Sequence, residues 1–77
     1  RILIVDDEEN VRCALKRWFE RSDFDVDLAE DGLCAVEMVQ TNDYDVITMD
    51  LEMPRMNGVE AVGQIKALRP GIPIVIL

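Results

Sequence analysis

Three aspartates stand where apolar runs of the chain end. Asp6 and Asp7 follow the run ILIV, and Asp50 follows the run VITM. Carboxylate oxygens bind hard divalent cations, and an ionised carboxylate is a nucleophile that needs no base to activate it. The chain contains no histidine, so we expect any acid-base or metal chemistry in it to rest on carboxylates.

The segments that position these aspartates alternate between strand and helix patterns. Continuous apolar runs indicate strands, and apolar residues spaced three and four apart indicate helices. The sequence predicts strands at 2–5, within 25–32, at 44–49 and at 72–77, and helices at 8–21, about 33–40 and 58–68. This alternating order is typical of the α/β class, a parallel sheet with helices packed on its faces.

Each predicted helix carries apolar residues along one side. We expect these residues, including the two aromatic ones, to be buried against the sheet because they form one stripe on the helix surface. They are Val11, Ala14, Leu15, Trp18 and Phe19 in the first helix, Val36 and Val39 in the second, and Val59, Val62 and Ile65 in the third.

The order of the strands decides whether the three aspartates meet. The alternation of elements is compatible with the orders 1-2-3-4 and 2-1-3-4, and in the first of these the second strand separates the aspartates. In the 2-1-3-4 order Asp6, Asp7 and Asp50 meet at the switch point where such sheets bind ligands. Adjacent carboxylates repel one another unless a cation neutralises them, and Mg²⁺ suits a site with few protein ligands.

Taken one at a time, acidic residues of this chain have simpler explanations than a metal site. An aspartate at a strand end is most often a helix cap or a turn former, and we expect Asp31 to cap the second helix. The side chain of Glu52 is expected to be solvated, so that only its backbone carbonyl serves a metal. The combination of Asp6, Asp7 and Asp50 at the ends of buried strands is what favours a functional site.

The charge and the apolar runs exclude several classes of partner. Eight Lys and Arg residues against sixteen Asp and Glu residues give a formal charge of −8, which argues against direct binding of nucleic acid or of an anionic membrane. The longest apolar run is too short to span a bilayer, and no leader pattern precedes the first strand, so we expect a cytoplasmic protein. Cys13 and Cys34 form no CxxC pair, and we expect reduced thiols and no zinc site.

The chain resembles the receiver domain of two-component response regulators, the CheY-like superfamily. The resemblance rests on four stretches in the same order and spacing: ILIVDDE at 2–8, AEDG at 29–32, DVITMDLEMPRMNG at 45–58 and IPIVIL at 72–77. It implies a flavodoxin-like, doubly wound parallel sheet of strand order 2-1-3-4 in the part present.

The resemblance also implies a role for each acidic residue. Asp50 is the implied phosphoacceptor, which takes a phosphoryl group from a phosphohistidine of a sensor histidine kinase or phosphotransfer protein and so switches an output domain or downstream protein. Asp7 is implied to bind Mg²⁺ directly, and Asp6 directly or through water. Asp50 contributes its side chain and Glu52 its backbone carbonyl, and Mn²⁺ is the alternative metal.

Receivers of this kind extend beyond the segments found here. They have a fifth strand and two further helices, and the family's hydroxyl residue, lysine and switch aromatic would all follow Leu77. We therefore expect residues 1–77 to be the N-terminal part of a single receiver domain. The fourth strand would then be an apolar edge, and we expect a dimer or swapped assembly through it.

Two other functions are compatible with these residues. A phosphohydrolase of the haloacid dehalogenase type also places a nucleophilic aspartate after an apolar strand. That family has a second aspartate at the position of Glu52, and membership in it would not explain Asp6 and Asp7. The other alternative is an interaction module that keeps the fold and has lost phosphorylation, and the retained aspartates argue against it. The implied function is signalling, with self-phosphorylation and self-dephosphorylation as the only chemistry.

Overall fold

Four strands form one parallel sheet in the order β2-β1-β3-β4. The structure, a computed structural model, describes residues 1–50 and 58–77. This strand order confirms the fold predicted from the aspartates and from the family resemblance. The elements are β1 (Ile2–Val5), α1 (Glu9–Glu20), β2 (Val26–Ala29), α2 (Gly32–Thr41), β3 (Val46–Met49), α3 (Gly58–Leu68) and β4 (Ile74–Ile76).

Strand β1 is the centre of the sheet. All four of its residues are at most 1% exposed, as expected for an apolar strand with neighbours on both edges and helices over both faces. Successive side chains alternate between the faces. Leu3 and Val5 join the main core with residues of α2 and α3, whereas Ile2 and Ile4 lie on the opposite face.

Helix α1 covers its face of the sheet alone among the described elements. Right-handed crossovers place α1 on one face and α2 and α3 on the other, because the chain reverses direction across the sheet after β2. No residue of α1 is buried, and Trp18 is 67% exposed. The prediction that Trp18 lies in the core is therefore wrong, since no second helix in the described chain packs beside it.

Helix α2 follows the sequence prediction closely. Asp31 is its N-cap, and the carboxylate accepts a hydrogen bond from the backbone N–H of Cys34 at 2.8 Å. Val36 and Val39 are buried, as their spacing predicts. The cap fixes the start of the helix, and the valines fix the face that it presents to the sheet.

Helix α3 is rotated relative to the prediction. Its buried face passes through Gly58, Ala61 and Ile65, while Val59 is 68% exposed. Consecutive helical residues point about 100° apart, so a face that includes Gly58 turns Val59 towards solvent. The expected burial of Val59 is wrong, and that of Ile65 is confirmed.

Strand β4 pairs with β3, and within the described residues it forms the other edge of the sheet. Val75 and Ile76 are each 47% exposed, as expected for an apolar strand that has a neighbouring strand along one edge only. None of the helices in the described ranges is long and apolar enough to cross a bilayer. Cys13 and Cys34 do not form a disulfide with each other in the structure, and their reduced state stays a prediction.

Candidate functional site

The pairing of β1 with β3 brings two aspartates side by side. Val5 and Met49 are register partners and the last residues of their strands, so Asp6 and Asp50 leave the sheet at the same level. The backbone N–H of Asp50 donates to the carbonyl of Val5 at 3.0 Å, which extends the ladder by one hydrogen bond. On the other edge of β1, the N–H of Asp6 donates to the carbonyl of Ala29 at 3.2 Å.

Asp6, Asp7 and Asp50 form one acidic cluster at the carboxyl end of the sheet. One carboxylate oxygen from each lies within 4.8 Å of the others. Asp6 is only 6% exposed, Asp50 is half-buried and Asp7 is exposed. The cluster thus runs from the sheet interior to solvent, and a ligand would approach from the side of Asp7.

The buried carboxylate of Asp6 is held by the turn that follows it. Its Oδ1 accepts a hydrogen bond from the backbone N–H of Glu8 at 2.9 Å, the local bond that a short acidic side chain makes two residues on. Its second oxygen has no hydrogen-bond partner in the described part of the chain, so this oxygen remains available to a cation or a water molecule.

Arg12 is a residue of the site that sequence reasoning missed. It lies in the first turns of α1, and its Nη1 donates to the backbone carbonyl of Asp6 at 2.7 Å. Its backbone N–H donates to the carbonyl of Glu8 at 3.0 Å. The only signal in the sequence is its position one helical turn after Glu8, and this spacing alone does not show that the side chain returns to the strand end.

The donor set of the cluster fits a hard divalent cation. Two unit charges of like sign 4 Å apart repel by about 4 kcal/mol near a protein surface, so three carboxylates at this spacing favour a bound positive charge. All three donors are carboxylate oxygens, and Asp7 faces solvent, so water ligands have room on that side. Few protein ligands together with several waters is the coordination that Mg²⁺ prefers.

Glu52, the fourth predicted ligand, lies outside the described residues. The role of its backbone carbonyl stays a prediction. The other three predicted site residues are brought together as the 2-1-3-4 order requires.

A second polar group lies at the opposite, amino end of the sheet. The Tyr44 hydroxyl donates to Oδ2 of Asp27 at 2.7 Å, and the Arg1 guanidinium pairs with the same oxygen at 3.1 Å. Burial of Tyr44 raises its pKa above the ordinary tyrosine value, and the hydrogen bond to Asp27 raises it further.

An open groove of about 430 Å³ lies at this end of the sheet, and its lining includes Tyr44, Arg69 and Pro73. These residues lie before β3 and β4, far along the strands from the acidic cluster.

Comparison with known proteins identifies the family. The family model of the response regulator receiver domain matches residues 2–77. Among curated proteins, the chain is 36% identical over 77 residues to the response regulator MprA of Mycobacterium sp. (strain KMS), covering the whole of this chain and 34% of that protein. The chain thus spans about a third of the length of the curated relatives it matches.

Two solved structures are also similar. The response regulator TrrA of Thermotoga maritima in complex with Mg²⁺-BeF is 36% identical, with a TM-score of 0.94 over 99% of this chain and 66% of that chain. TrrA in complex with the histidine kinase ThkA gives a TM-score of 0.92, with the same identity and coverage. With its 2-1-3-4 sheet, its acidic cluster at the carboxyl end and these relatives, the chain belongs to the response regulator receiver domain family and has the CheY-like fold.

Proposed function

We propose that this chain is a phosphoacceptor and that Asp50 is the residue that takes the phosphoryl group. The observation that carries this proposal is the meeting of three carboxylates within 4.8 Å at the ends of β1 and β3. Of the three, Asp50 is half-buried and directly continues β3, so its backbone is fixed by the sheet. A nucleophile held on a rigid strand end suits phosphoryl transfer, which depends mainly on positioning and on the cancellation of charge.

The proposed reaction is a transfer from a phosphohistidine to a carboxylate. A carboxylate oxygen of Asp50 bonds to phosphorus while the phosphorus–nitrogen bond of the phosphohistidine breaks, and the ring, already protonated on its other nitrogen, leaves as neutral imidazole. The product is an aspartyl phosphate. Hydrolysis of its acyl–phosphorus linkage by water regenerates Asp50 and releases inorganic phosphate, so the state is transient.

The acidic cluster would hold a divalent cation for this reaction. Asp7 and Asp50 would bind it by their side chains and Asp6 directly or through water, while Glu52 would contribute its carbonyl. The structure of TrrA with Mg²⁺-BeF supports Mg²⁺ as the metal, with Mn²⁺ as the alternative. When bound, the cation neutralises the charge on the phosphoryl oxygens and carboxylates. Asp6, buried and bonded to Glu8, keeps its side of the site in place.

The phosphodonor is proposed to be a sensor histidine kinase or a phosphotransfer protein. The complex of TrrA with the histidine kinase ThkA supports a kinase as the partner. Residues 1–77 are proposed to be the first part of a single cytoplasmic receiver domain that switches an output domain or downstream protein. The family match over residues 2–77 supports the assignment of this segment to a receiver domain.

The proposal is tested by phosphorylating the full-length protein with a small acyl-phosphate donor and Mg²⁺. We expect one phosphoryl group per chain in the wild type and none at this site in Asp50→Asn. Asp43→Asn is the matched control, because the Asp43 side chain is 96% exposed and pairs with Arg69 at the other end of the sheet. Intact mass and peptide mapping locate the modified residue.

The outcomes separate the alternatives. Absence of phosphate in the wild type would favour an interaction module without phosphorylation, and equal labelling of Asp50→Asn at the same site would show that another residue is the acceptor. Steady release of phosphate from a phosphoester substrate would favour a phosphohydrolase, a class to which the family match lends no support.

A further inference from the structure

The turn between β1 and α1 is closed by three hydrogen bonds that form a ring. Oδ1 of Asp6 accepts from the N–H of Glu8 at 2.9 Å, and the carbonyl of Glu8 accepts from the N–H of Arg12 at 3.0 Å. The Arg12 side chain returns to the start, where Nη1 donates to the carbonyl of Asp6 at 2.7 Å. Both the side chain and the backbone of Asp6 are therefore fixed by the helix that follows.

Asp7 lies between the two residues that this ring joins, Asp6 and Glu8, and its side chain has no hydrogen bond within the described residues. Asp7 is exposed. The direction of its Cα–Cβ bond, from which the carboxylate takes up its rotamers, is then set by the backbone on either side of it. That backbone is held at Asp6 by the carbonyl bond to Arg12 and at Glu8 by the bond to Asp6.

We propose that Arg12 is a positioning residue, whose guanidinium presets the carboxylates of Asp6 and Asp7 for a divalent cation. This inference deepens the proposed function, on which it rests for the use of the acidic cluster. Arg12 acts through the backbone and not as a ligand, since a guanidinium has no acceptor and never loses its charge in a protein. A preset pair of carboxylates binds a cation with less ordering cost than a mobile pair.

The charge of Arg12 and its hydrogen bond act in opposite directions on cation binding. A positive charge near the cluster disfavours a second cation, whereas a fixed turn favours it. The Nη1 atom donates to a backbone carbonyl and not to a carboxylate, so no candidate ligand atom is occupied by Arg12. We therefore expect positioning to be the larger effect.

The test measures Mg²⁺ affinity by calorimetric titration of full-length protein without a phosphodonor. In Arg12→Gln we expect affinity to fall about tenfold, the lower end of the range seen when outer partners of metal ligands are removed. Hydrogen exchange at the Glu8 amide should accelerate in the same variant, because its bond to Asp6 is part of the ring. Arg12→Lys keeps a charged donor, so it should restore part of the Mg²⁺ affinity and part of the protection of the Glu8 amide.

Arg17→Gln is the matched control, because Arg17 is an exposed arginine of the same helix. This substitution should leave the Mg²⁺ affinity and the hydrogen exchange of the Glu8 amide as in the wild type. Unchanged or tighter Mg²⁺ binding in folded Arg12→Gln would overturn the proposal, with tighter binding showing that the charge dominates. If Arg12→Gln fails to fold, Arg12→Met, which keeps the aliphatic stem without a donor, is titrated in its place, and wild-type affinity with wild-type Glu8 exchange in that variant overturns the proposal.

This inference and the proposed function fail in different experiments. A wild type that binds Mg²⁺ but takes no phosphoryl group would contradict the role of Asp50 and leave the Arg12 result valid. A wild type that is phosphorylated on Asp50 while Arg12→Gln binds Mg²⁺ equally well would contradict only the role of Arg12.

Discussion

At the scale of single residues, Asp6 shows how one side chain can serve both the fold and the site. Its carbonyl accepts from Arg12, and one carboxylate oxygen accepts from Glu8, so it holds the β1–α1 turn. One of its carboxylate oxygens also belongs to the acidic cluster. Aspartate suits both tasks because its short side chain reaches the backbone two residues on, which a glutamate does less readily.

Tyr44 gives a pH prediction at the same scale. Burial and the bond to Asp27 raise its pKa, so the neutral phenol stabilises the fold below the ordinary tyrosine pKa of about 10. This contribution is lost as the pH rises through the higher folded value. We expect the free energy of unfolding to fall above about pH 10, and less steeply in Tyr44→Phe.

The titration of Tyr44 can be measured directly, because it is the only tyrosine in the chain. Ultraviolet absorbance of the phenolate should show a midpoint above about 10 in the folded protein and near 10 in denaturant. In Asp27→Asn the folded midpoint should move down, since the neighbouring negative charge is gone. A folded midpoint equal to the denatured one would contradict the prediction.

At the scale of elements, the cap of α2 is a contact whose energetic effect can be tested. Asp31 is 2% exposed and accepts from the N–H of Cys34. We expect Asp31→Ala to lower the free energy of unfolding by about 1 kcal/mol, measured by denaturant unfolding, because one partly buried N–H at the helix start loses its partner. Asp31→Asn keeps an acceptor of similar length and should lose much less. Equal losses in the two variants would show that the negative charge, and not the cap, is what matters.

Elements also show what the sequence could predict and why it failed elsewhere. Periodicity located the seven elements of the described residues within a few positions, because hydrophobic spacing and apolar content are properties of the local sequence. It misplaced Trp18 and Val59, since the buried side of a helix depends on what packs beside it. Strand order required the chemistry of the aspartates, or the family resemblance, because the alternation of elements fits two orders.

Only part of the candidate site could be predicted from the sequence. The meeting of the three aspartates was expected from the strand order, whereas the contact of Arg12 was not. Asp6, Asp7 and Asp50 stand at strand ends, so the topology alone brings their backbones together. The contact of Arg12 depends on the shape of one turn and on a long side chain that bends back, which no spacing rule encodes. The meeting of residues at the ends of paired strands can therefore be predicted from the topology, whereas a contact that depends on the shape of a turn cannot.

At the scale of the whole molecule, the sheet is covered unequally. One face carries α2, α3 and the main core, and the other carries α1 alone within the described chain. The described chain also leaves β4 at an edge, where Val75, Ile76 and Leu77 are 47%, 47% and 61% exposed. An apolar edge with unpaired backbone groups is a template for pairing with another strand.

We therefore predict that residues 1–77, expressed alone, associate through β4 in a concentration-dependent way. Sedimentation velocity over a range of concentrations should show dimers or larger species, and Ile76→Lys should shift the distribution to monomer, because charge on an edge strand opposes pairing. Val59→Lys is the matched control, as Val59 is also apolar and β-branched and is 68% exposed but lies on α3. A monomer at all concentrations that unfolds cooperatively would contradict the prediction, and an equal effect of the two lysines would point to charge alone. Loss of association only in Ile76→Lys would place the contact at the β4 edge.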